Sequence, residues 1–199
     1  RHREAPSPMT DQATPGQREQ YAAVRAASGY ARGERRTQVH LSGSDQKTFL
    51  HAFCTADITG LVPGQGCEAF ITSVQGKTLG LVHVFCRQDS LLLDTVAEQA
   101  DKLVSHLDHY VIREDVTFTD QTDQQESMFI AGPQAGETIS SGLQSPLPAE
   151  PLGHVEVAFA GHPLSIRRCP AALDGFWISG CGESLDQLAP VLADAGCGQ

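Results

Sequence analysis

The sequence of 199 residues lacks the features that would assign it to several large classes. No run approaches the roughly 18 consecutive apolar residues that a membrane-spanning helix needs, so we expect no membrane partner. Lys and Arg number 14 against 24 Asp and Glu, and the net charge is −10. Because nucleic-acid binding depends on cations that neutralise phosphates, this balance argues against direct binding of DNA or RNA.

Motifs of common enzymes and metal proteins are also missing. The sequence contains no G-x-S-x-G, Walker A, Rossmann or H-E-x-x-H pattern, and its six cysteines form no C-x-x-C pair. A chain of this length can bury a core without disulfides, so we expect free thiols and a cytoplasmic location. His106 and His109 stand one helical turn apart, but no second ligand cluster accompanies them. The sequence therefore predicts no metal site.

The charge is unevenly distributed along the chain. Residues 1–36 carry seven Arg and four acidic residues, whereas the remainder has a net charge of −13. Gly, Pro, Ser and Gln are interspersed in this basic segment, and no apolar stretch of a signal peptide follows it. We therefore predict a disordered basic leader over residues 1–35, in preference to a targeting or RNA-binding arm, with Met9 as a natural start.

Hydrophobic periodicity predicts the same order of elements twice: strand, helix, three strands, helix. The two units cover residues 36–121 and 126–199, and the first ends with a further strand at 115–120 that the second lacks. A missing last strand leaves an open sheet edge, so we interpret the chain as cut short at its C-terminus. The predicted fold class is α+β, with two tandem units of mainly antiparallel sheet and helices on one face. Ser44 is predicted to cap the first helix.

A series of short motifs resembles one family. The stretch 41–50, L-S-G-S-D-Q-K-T-F-L, resembles the opening L-x-G-x-D-x-x-x-F-L of the glycine-cleavage T-protein (aminomethyltransferase) superfamily. Further landmarks follow in the family's order at 63–66, 75–77, 106–113, 132–135 and 174–176. The series looks most like the YgfZ-like branch, whose folate-binding members are implicated in iron–sulfur cluster assembly or repair and in tRNA modification. The resemblance implies an aminomethyltransferase-type fold that binds tetrahydrofolate.

Three departures from the family pattern bear on activity. The transferase carries an Asp after the Gln-Gly hairpin, but the corresponding stretch here, around Gly80, has no carboxylate. The family's V-V-N-A segment, whose Asn contacts folate, corresponds to residues 93–96, with Thr95 in place of that Asn. The family's folate-binding Glu corresponds to Leu173. These departures imply that aminomethyl transfer is lost.

Four residues are the candidates for a remaining folate site. Thr95 can still form a hydrogen bond, and Phe176 offers an aromatic ring for the pterin. Arg113 and Arg168 could bind the carboxylates of the glutamate tail in bidentate fashion. The alternative for these arginines, and for Arg167, is an ordinary ion pair at the protein surface. The YgfZ-like motif K-G-C-Y-x-G-Q-E is matched only in part around Cys197, which we place in the turn after the last helix, with Gly196 as its C-cap.

Three hypotheses about function follow. The first is a folate-binding accessory protein that supports iron–sulfur proteins. The second is a folate-dependent aminomethyltransferase of one-carbon metabolism, and the third is a scaffold domain that binds neither folate nor substrate. A K-G-C-Y-x-G-Q-E stretch further along would favour the first hypothesis, and an acidic residue close to Gly80 would favour the second.

Overall fold

The computed structural model describes residues 24–169 and 175–198. They contain ten strands, four complete α-helices and a 3₁₀ turn, and residues 24–26 are also helical. The strands are β1 (Gly29–Arg32), β2 (Thr37–Ser42), β3 (Gly66–Thr72), β4 (Thr78–Cys86), β5 (Ser90–Thr95), β6 (Thr117–Asp120), β7 (Glu126–Ala131), β8 (His154–Phe159), β9 (His162–Arg168) and β10 (Gly175–Gly180). The helices are α1 (Gln46–His51), α2 (Ala100–Asp108), α3 (Ala135–Leu143) and α4 (Gly182–Asp194). The 3₁₀ turn spans Thr122–Gln124.

The strands form two antiparallel sheets of five strands each. The first sheet has the order β3-β4-β5-β2-β6, and the second has the order β1-β7-β10-β9-β8. The α+β class with two antiparallel sheets, predicted from periodicity, is confirmed.

The outer face of each sheet is apolar and covered by helices. On the first sheet, Val39, Leu41 and Leu93 pack against Leu50 of α1 and Leu103 of α2. This packing follows from the period of two in the strands, which places alternate side chains on one face. A second core of the same kind, outside the other sheet, includes Ile130, Ile166 and Ile178 from strands and Ile139, Leu185 and Leu188 from α3 and α4.

The inner faces of the two sheets meet through a mostly polar layer. Asp94 of β5 forms a salt bridge with Arg167 of β9, at 2.7 Å between Oδ2 and Nη1. Arg87, after β4, lies 3.0 Å from the Glu156 carboxylate of β8. A small apolar cluster of Phe85, Leu92 and Leu152 lies within the same layer. The layers therefore follow the order helices, sheet, sheet, helices.

The edge that the sequence predicts to be open is occupied. Strand β1 pairs with β7 in antiparallel register, Gly29 with Ala131 and Arg32 with Met128. It takes the place in the second sheet that β6 takes in the first. The prediction of disorder is therefore wrong for residues 29–32, whereas the leader before residue 24 lies outside the described residues. The position beside β7, where the missing last strand is expected, is taken by β1.

Two local predictions about helix ends have different outcomes. Ser44 does not cap α1, because its hydroxyl donates to the Asp115 carboxylate and the N-cap position belongs to Asp45. Gly196 follows α4 with a φ of 92°, and the Cys197 amide donates to the Leu192 carbonyl. This is the expected left-handed C-cap. Cys197 is buried in the second core, where burial raises the pKa of its thiol.

Candidate functional site

A cavity of about 250 Å³ opens where the first half of β4 and the end of β5 meet the start of α2. Two of its lining residues, Gly80 and Thr95, belong to the stretches in which the sequence departs from the T-protein pattern. The full lining is Arg36, Gly80, Leu81, His83, Asp94, Thr95, Val96 and Gln99. We take this cavity as the candidate site.

Asp94 is the one carboxylate among these lining residues, and both of its oxygens are engaged. Oδ1 accepts a hydrogen bond from Arg36 Nε at 2.6 Å, and Oδ2 accepts one from Arg167 Nη1 at 2.7 Å. Burial would raise the pKa of Asp94, but the charges and hydrogen bonds of Arg167 and Arg36 outweigh it, so the pKa lies below its usual value. The carboxylate is therefore ionised and fully paired.

His83 contributes an imidazole to the same cavity. It is directly opposite Asp94 in the register of β4 and β5, and its Nε2 lies 3.5 Å from the Glu68 carboxylate. Burial lowers the pKa of His83, and the opposing effects of Asp94 and Glu68 do not offset the decrease. The imidazole is therefore neutral near pH 7, and one of its ring nitrogens can accept a hydrogen bond.

Thr95 lies in the cavity wall, but its hydroxyl already donates a hydrogen bond within the protein. Its hydroxyl donates a hydrogen bond to the Leu81 carbonyl at 2.6 Å, and the residue is buried. The Thr95 oxygen thus keeps only acceptor capacity for a ligand. Gly80 leaves open space instead of a side chain, since a Cβ placed there would meet Leu103 at 3.7 Å and nothing closer.

The structure places the predicted residue Arg113 elsewhere. It lines a separate groove of about 540 Å³, beside α1, together with Phe49, Phe53 and Tyr110. The neighbouring carboxylates, which sequence reasoning offered as partners of Arg113, accept hydrogen bonds from amides. Glu114 accepts them from Ile112 and Arg113, and Asp115 accepts one from Ser44.

Arg168 and Phe176 form a pair in the second unit, and neither lines the candidate cavity. The Arg168 guanidinium lies 6.0 Å from the centre of the Phe176 ring and donates to the Ala149 carbonyl at 2.6 Å. Phe176 is 6% exposed and belongs to the second core. The four predicted residues therefore do not lie in one site. Leu173, which corresponds to the family's folate-binding Glu, lies outside the described residues.

Sequence reasoning missed Arg36, His83 and the engagement of Asp94. A signal was available, because His83 and Asp94 interrupt strands that are otherwise apolar. Polar residues at such positions predict a polar face between packed layers. What the sequence could not indicate is that Arg167, in the other unit, pairs with Asp94.

The conspicuous histidine pair of α2 does not form a site of its own. His106 Nε2 lies 3.2 Å from the Thr72 carbonyl, and its ring contacts Phe53 and Tyr110 edge-on. The His109 ring lies against Tyr110 as well. Within residues 24–169 and 175–198, no helix is long and apolar enough to cross a membrane.

These features define a class: an α+β protein of two helix-backed sheets with a small cavity beside the polar layer. Known structures share this fold. The aminomethyltransferase T of the glycine cleavage system from Bartonella henselae superposes with a TM-score of 0.74 at 17% identity, covering 87% of this chain and 47% of that one. A chain of heterotetrameric sarcosine oxidase from Corynebacterium sp. gives 0.59 at 18% identity, over 94% of this chain and 98% of that one.

The family follows from the sequence match. The model of the GCVT N-terminal domain family matches residues 4–170, and the chain belongs to this family. A putative chloroplastic transferase from Arabidopsis thaliana is 27% identical over 65% of this chain and 30% of its own length. An aminomethyltransferase from Bacillus velezensis is 26% identical over 62% of this chain and 34% of its own length. The chain spans about a third of these curated relatives.

Proposed function

We propose that the protein is a folate-binding accessory protein that supports iron–sulfur cluster assembly or repair and has lost aminomethyl transfer. The observation that carries the proposal is the state of the candidate cavity. Gly80 stands where the family resemblance calls for a catalytic Asp, and the Asp94 carboxylate is held between Arg36 and Arg167. No lining carboxylate is thus free to receive the reacting amine.

The cavity suits part of a folate. A volume of about 250 Å³ is below the range of roughly 300–1,000 Å³ that is typical of sites for whole drug-sized ligands. A planar bicyclic head is the part that fits such a volume. The Thr95 oxygen and the His83 imidazole offer hydrogen-bond acceptors to its N–H groups, whereas Leu173 supplies no carboxylate.

Binding is tested by calorimetric titration of the protein with tetrahydrofolate. We expect saturable heat, with weaker affinity in Thr95→Val, which keeps the side-chain shape and removes the hydroxyl. Thr119→Val, an exposed change on β6, is the matched control and should bind as the wild type does. If the wild type produces no heat and no thermal stabilisation at saturating ligand, the folate-binding proposal is wrong and the scaffold hypothesis takes its place.

The loss of transfer is tested by adding the missing carboxylate. We expect no turnover by the wild type in a glycine-cleavage assay with the partner proteins of that system. Gly80→Asp should gain turnover if the missing carboxylate is the only defect, because the space around Gly80 accepts a side chain. Turnover by the wild type would instead establish the second candidate, a folate-dependent aminomethyltransferase, which the named relatives favour.

The accessory role needs a cellular measurement. In cells that lack the protein, we expect iron–sulfur enzymes to lose specific activity at unchanged abundance. Wild-type protein should restore that activity, and Thr95→Val should restore it less well if folate binding is part of the role. Full activity of these enzymes without the protein would contradict the role, whatever the titration shows.

A further inference from the structure

Three buried side chains on the inner face of the second sheet hold polar atoms that lack a hydrogen-bond partner in the described part of the chain. The atoms are His154 Nδ1, Ser165 Oγ and Arg167 Nε. Their residues are 4%, 5% and 2% exposed, respectively. Buried polar groups are nearly always paired with protein, water or an ion, so three unpaired ones in one layer indicate an occupant.

The three residues are neighbours in the sheet. His154 of β8 is directly opposite Arg167 of β9, and Ser165 lies two residues along β9 on the same face. Opposed residues of an antiparallel pair bring their Cβ atoms to about 5 Å, and diagonal ones to about 7–8 Å. The three side chains therefore share one small patch on the inner face of the second sheet.

The surroundings are positively charged. Arg167 shares its acidic partner, because the other oxygen of Asp94 is taken by Arg36, and one carboxylate thus serves two guanidinium groups. Burial, together with the charges of Arg87 and Arg167, lowers the pKa of His154 to about 4. The imidazole is therefore neutral at physiological pH, and its donor or acceptor role at Nδ1 depends on the tautomer.

We propose that a small monatomic anion, chloride under cellular conditions, binds between the two sheets at His154, Ser165 and Arg167. Arg167 Nε and Ser165 Oγ donate hydrogen bonds to it, and His154 donates from Nδ1 in the tautomer that carries its proton there. The anion offsets the guanidinium charge that Asp94 leaves uncompensated. The site is separate from the cavity lined by Thr95 and does not depend on folate binding.

The chemistry of the site favours an anion over a water molecule. A water molecule can accept hydrogen bonds from the guanidinium and the hydroxyl, but it carries no charge to offset that of Arg167. A positive local potential attracts an anion and gives no comparable advantage to a neutral molecule. Burial of all three side chains between the sheets suits a small ion.

Crystals grown in bromide test the site directly. We expect an anomalous difference peak within hydrogen-bonding distance of Ser165 Oγ and Arg167 Nε. An ordered water molecule there, with no anomalous signal in bromide, would overturn the proposal.

Thermal unfolding gives an independent measurement. In the wild type, chloride should raise the midpoint with a logarithmic dependence on concentration, beyond sodium gluconate at equal ionic strength. Ser165→Ala should lose this chloride-specific increase, and in gluconate it should be at least as stable as the wild type, because an unpaired buried hydroxyl is removed. Equal effects of chloride and gluconate on the wild type would contradict the proposal.

A matched variant controls for the loss of any buried serine. Ser127 lies in the same sheet and is also 5% exposed, but its hydroxyl donates to the Glu34 carbonyl. Ser127→Ala should therefore keep the wild-type difference between chloride and gluconate. Loss of that difference in Ser127→Ala would show that the effect is not specific to Ser165.

Discussion

The Asp94 side chain connects the two units of the molecule, because it bonds to one arginine from each unit. Its carboxylate is 3% exposed and lies between guanidinium groups from either unit, Arg36 and Arg167. Taking charges out of water is costly, and the cost is offset only while each charge keeps its partners. The sequence does not indicate this pairing, because two residues separated by the length of a unit leave no local pattern.

Replacing Asp94 should therefore destabilise the protein strongly. In Asp94→Asn, the buried guanidinium of Arg167 and the partly buried one of Arg36 lose their counter-charge, and we expect the free energy of unfolding to fall by about 3–5 kcal/mol. Chemical denaturation measures the change. Asp123→Asn, which removes an exposed partner of Arg35, is the control and should cost no more than about 1 kcal/mol. Equal losses in the two variants would contradict a special role of the buried pair.

The low pKa of His154 predicts a pH dependence of stability. The unfolded chain binds a proton near pH 6.5, whereas folded His154 does so only near 4, so the unfolded state holds more protons between these values. We therefore expect stability to decrease on acidification over this window, by up to about 1.4 kcal/mol per pH unit. Unfolding titrations of His154→Gln should lack that component, while His162→Gln, a change at the sheet surface, should retain it.

At the scale of elements, local pattern sufficed for most strands and helices. The apolar run at 78–86 predicts a strand, which coincides with β4, and the pattern at 134–142 predicts a helix, which differs from α3 by one residue at each end. The predictions were wrong where contacts with a segment far along the chain determine the local structure. Residues 29–32 are assigned to the polar leader because their partner, β7, follows only after the whole first unit. The α1 cap failed similarly, because Ser44 bonds to Asp115 from the far end of its unit.

The docking of β1 depends on the close approach of Gly132 to the chain before that strand. Gly132 has a φ of 119°, and a Cβ there would lie 2.5 Å from the Val24 carbonyl oxygen and 2.6 Å from that of Ala27. Gly132→Ala should therefore destabilise the protein and expose the β1 amides to hydrogen exchange. Gly161→Ala carries a similar backbone strain, at a φ of 84°, with nothing within 4 Å. It should leave β1 protected, and equal exchange in both variants would contradict this account.

At the scale of the whole molecule, the repeat predicted two similar units but not their arrangement. The inward polar residues of β5 and β9 are uninformative alone, and only their pairing shows that the sheets pack face to face. The candidate site, too, could be predicted from the sequence only in part. Gly80 and Thr95 were found from the family pattern, whereas the contribution of Arg36 to the cavity became evident only in the fold.

The shared layer predicts that both units unfold together. Trp177, the single Trp of the sequence, lies in the second sheet with the Arg36 guanidinium 5.6 Å from its ring centre. Its fluorescence should therefore report the separation of the sheets. We expect its denaturation midpoint to coincide with that of far-ultraviolet circular dichroism. Two separate transitions would show that the units are independent, and Asp94→Asn should be the variant in which the two midpoints move apart.

The place of β1 has a consequence for synthesis on the ribosome. The strand emerges before any residue of the first unit, yet its partner β7 emerges only after that unit is complete. The first sheet can therefore close during translation while β1 waits unpaired, and the second sheet is a discontinuous domain with the first unit inserted into it. Pairings across so many residues slow folding. A nascent chain stalled just before β7 should therefore present β1 as an unprotected segment, accessible to chaperones and proteases.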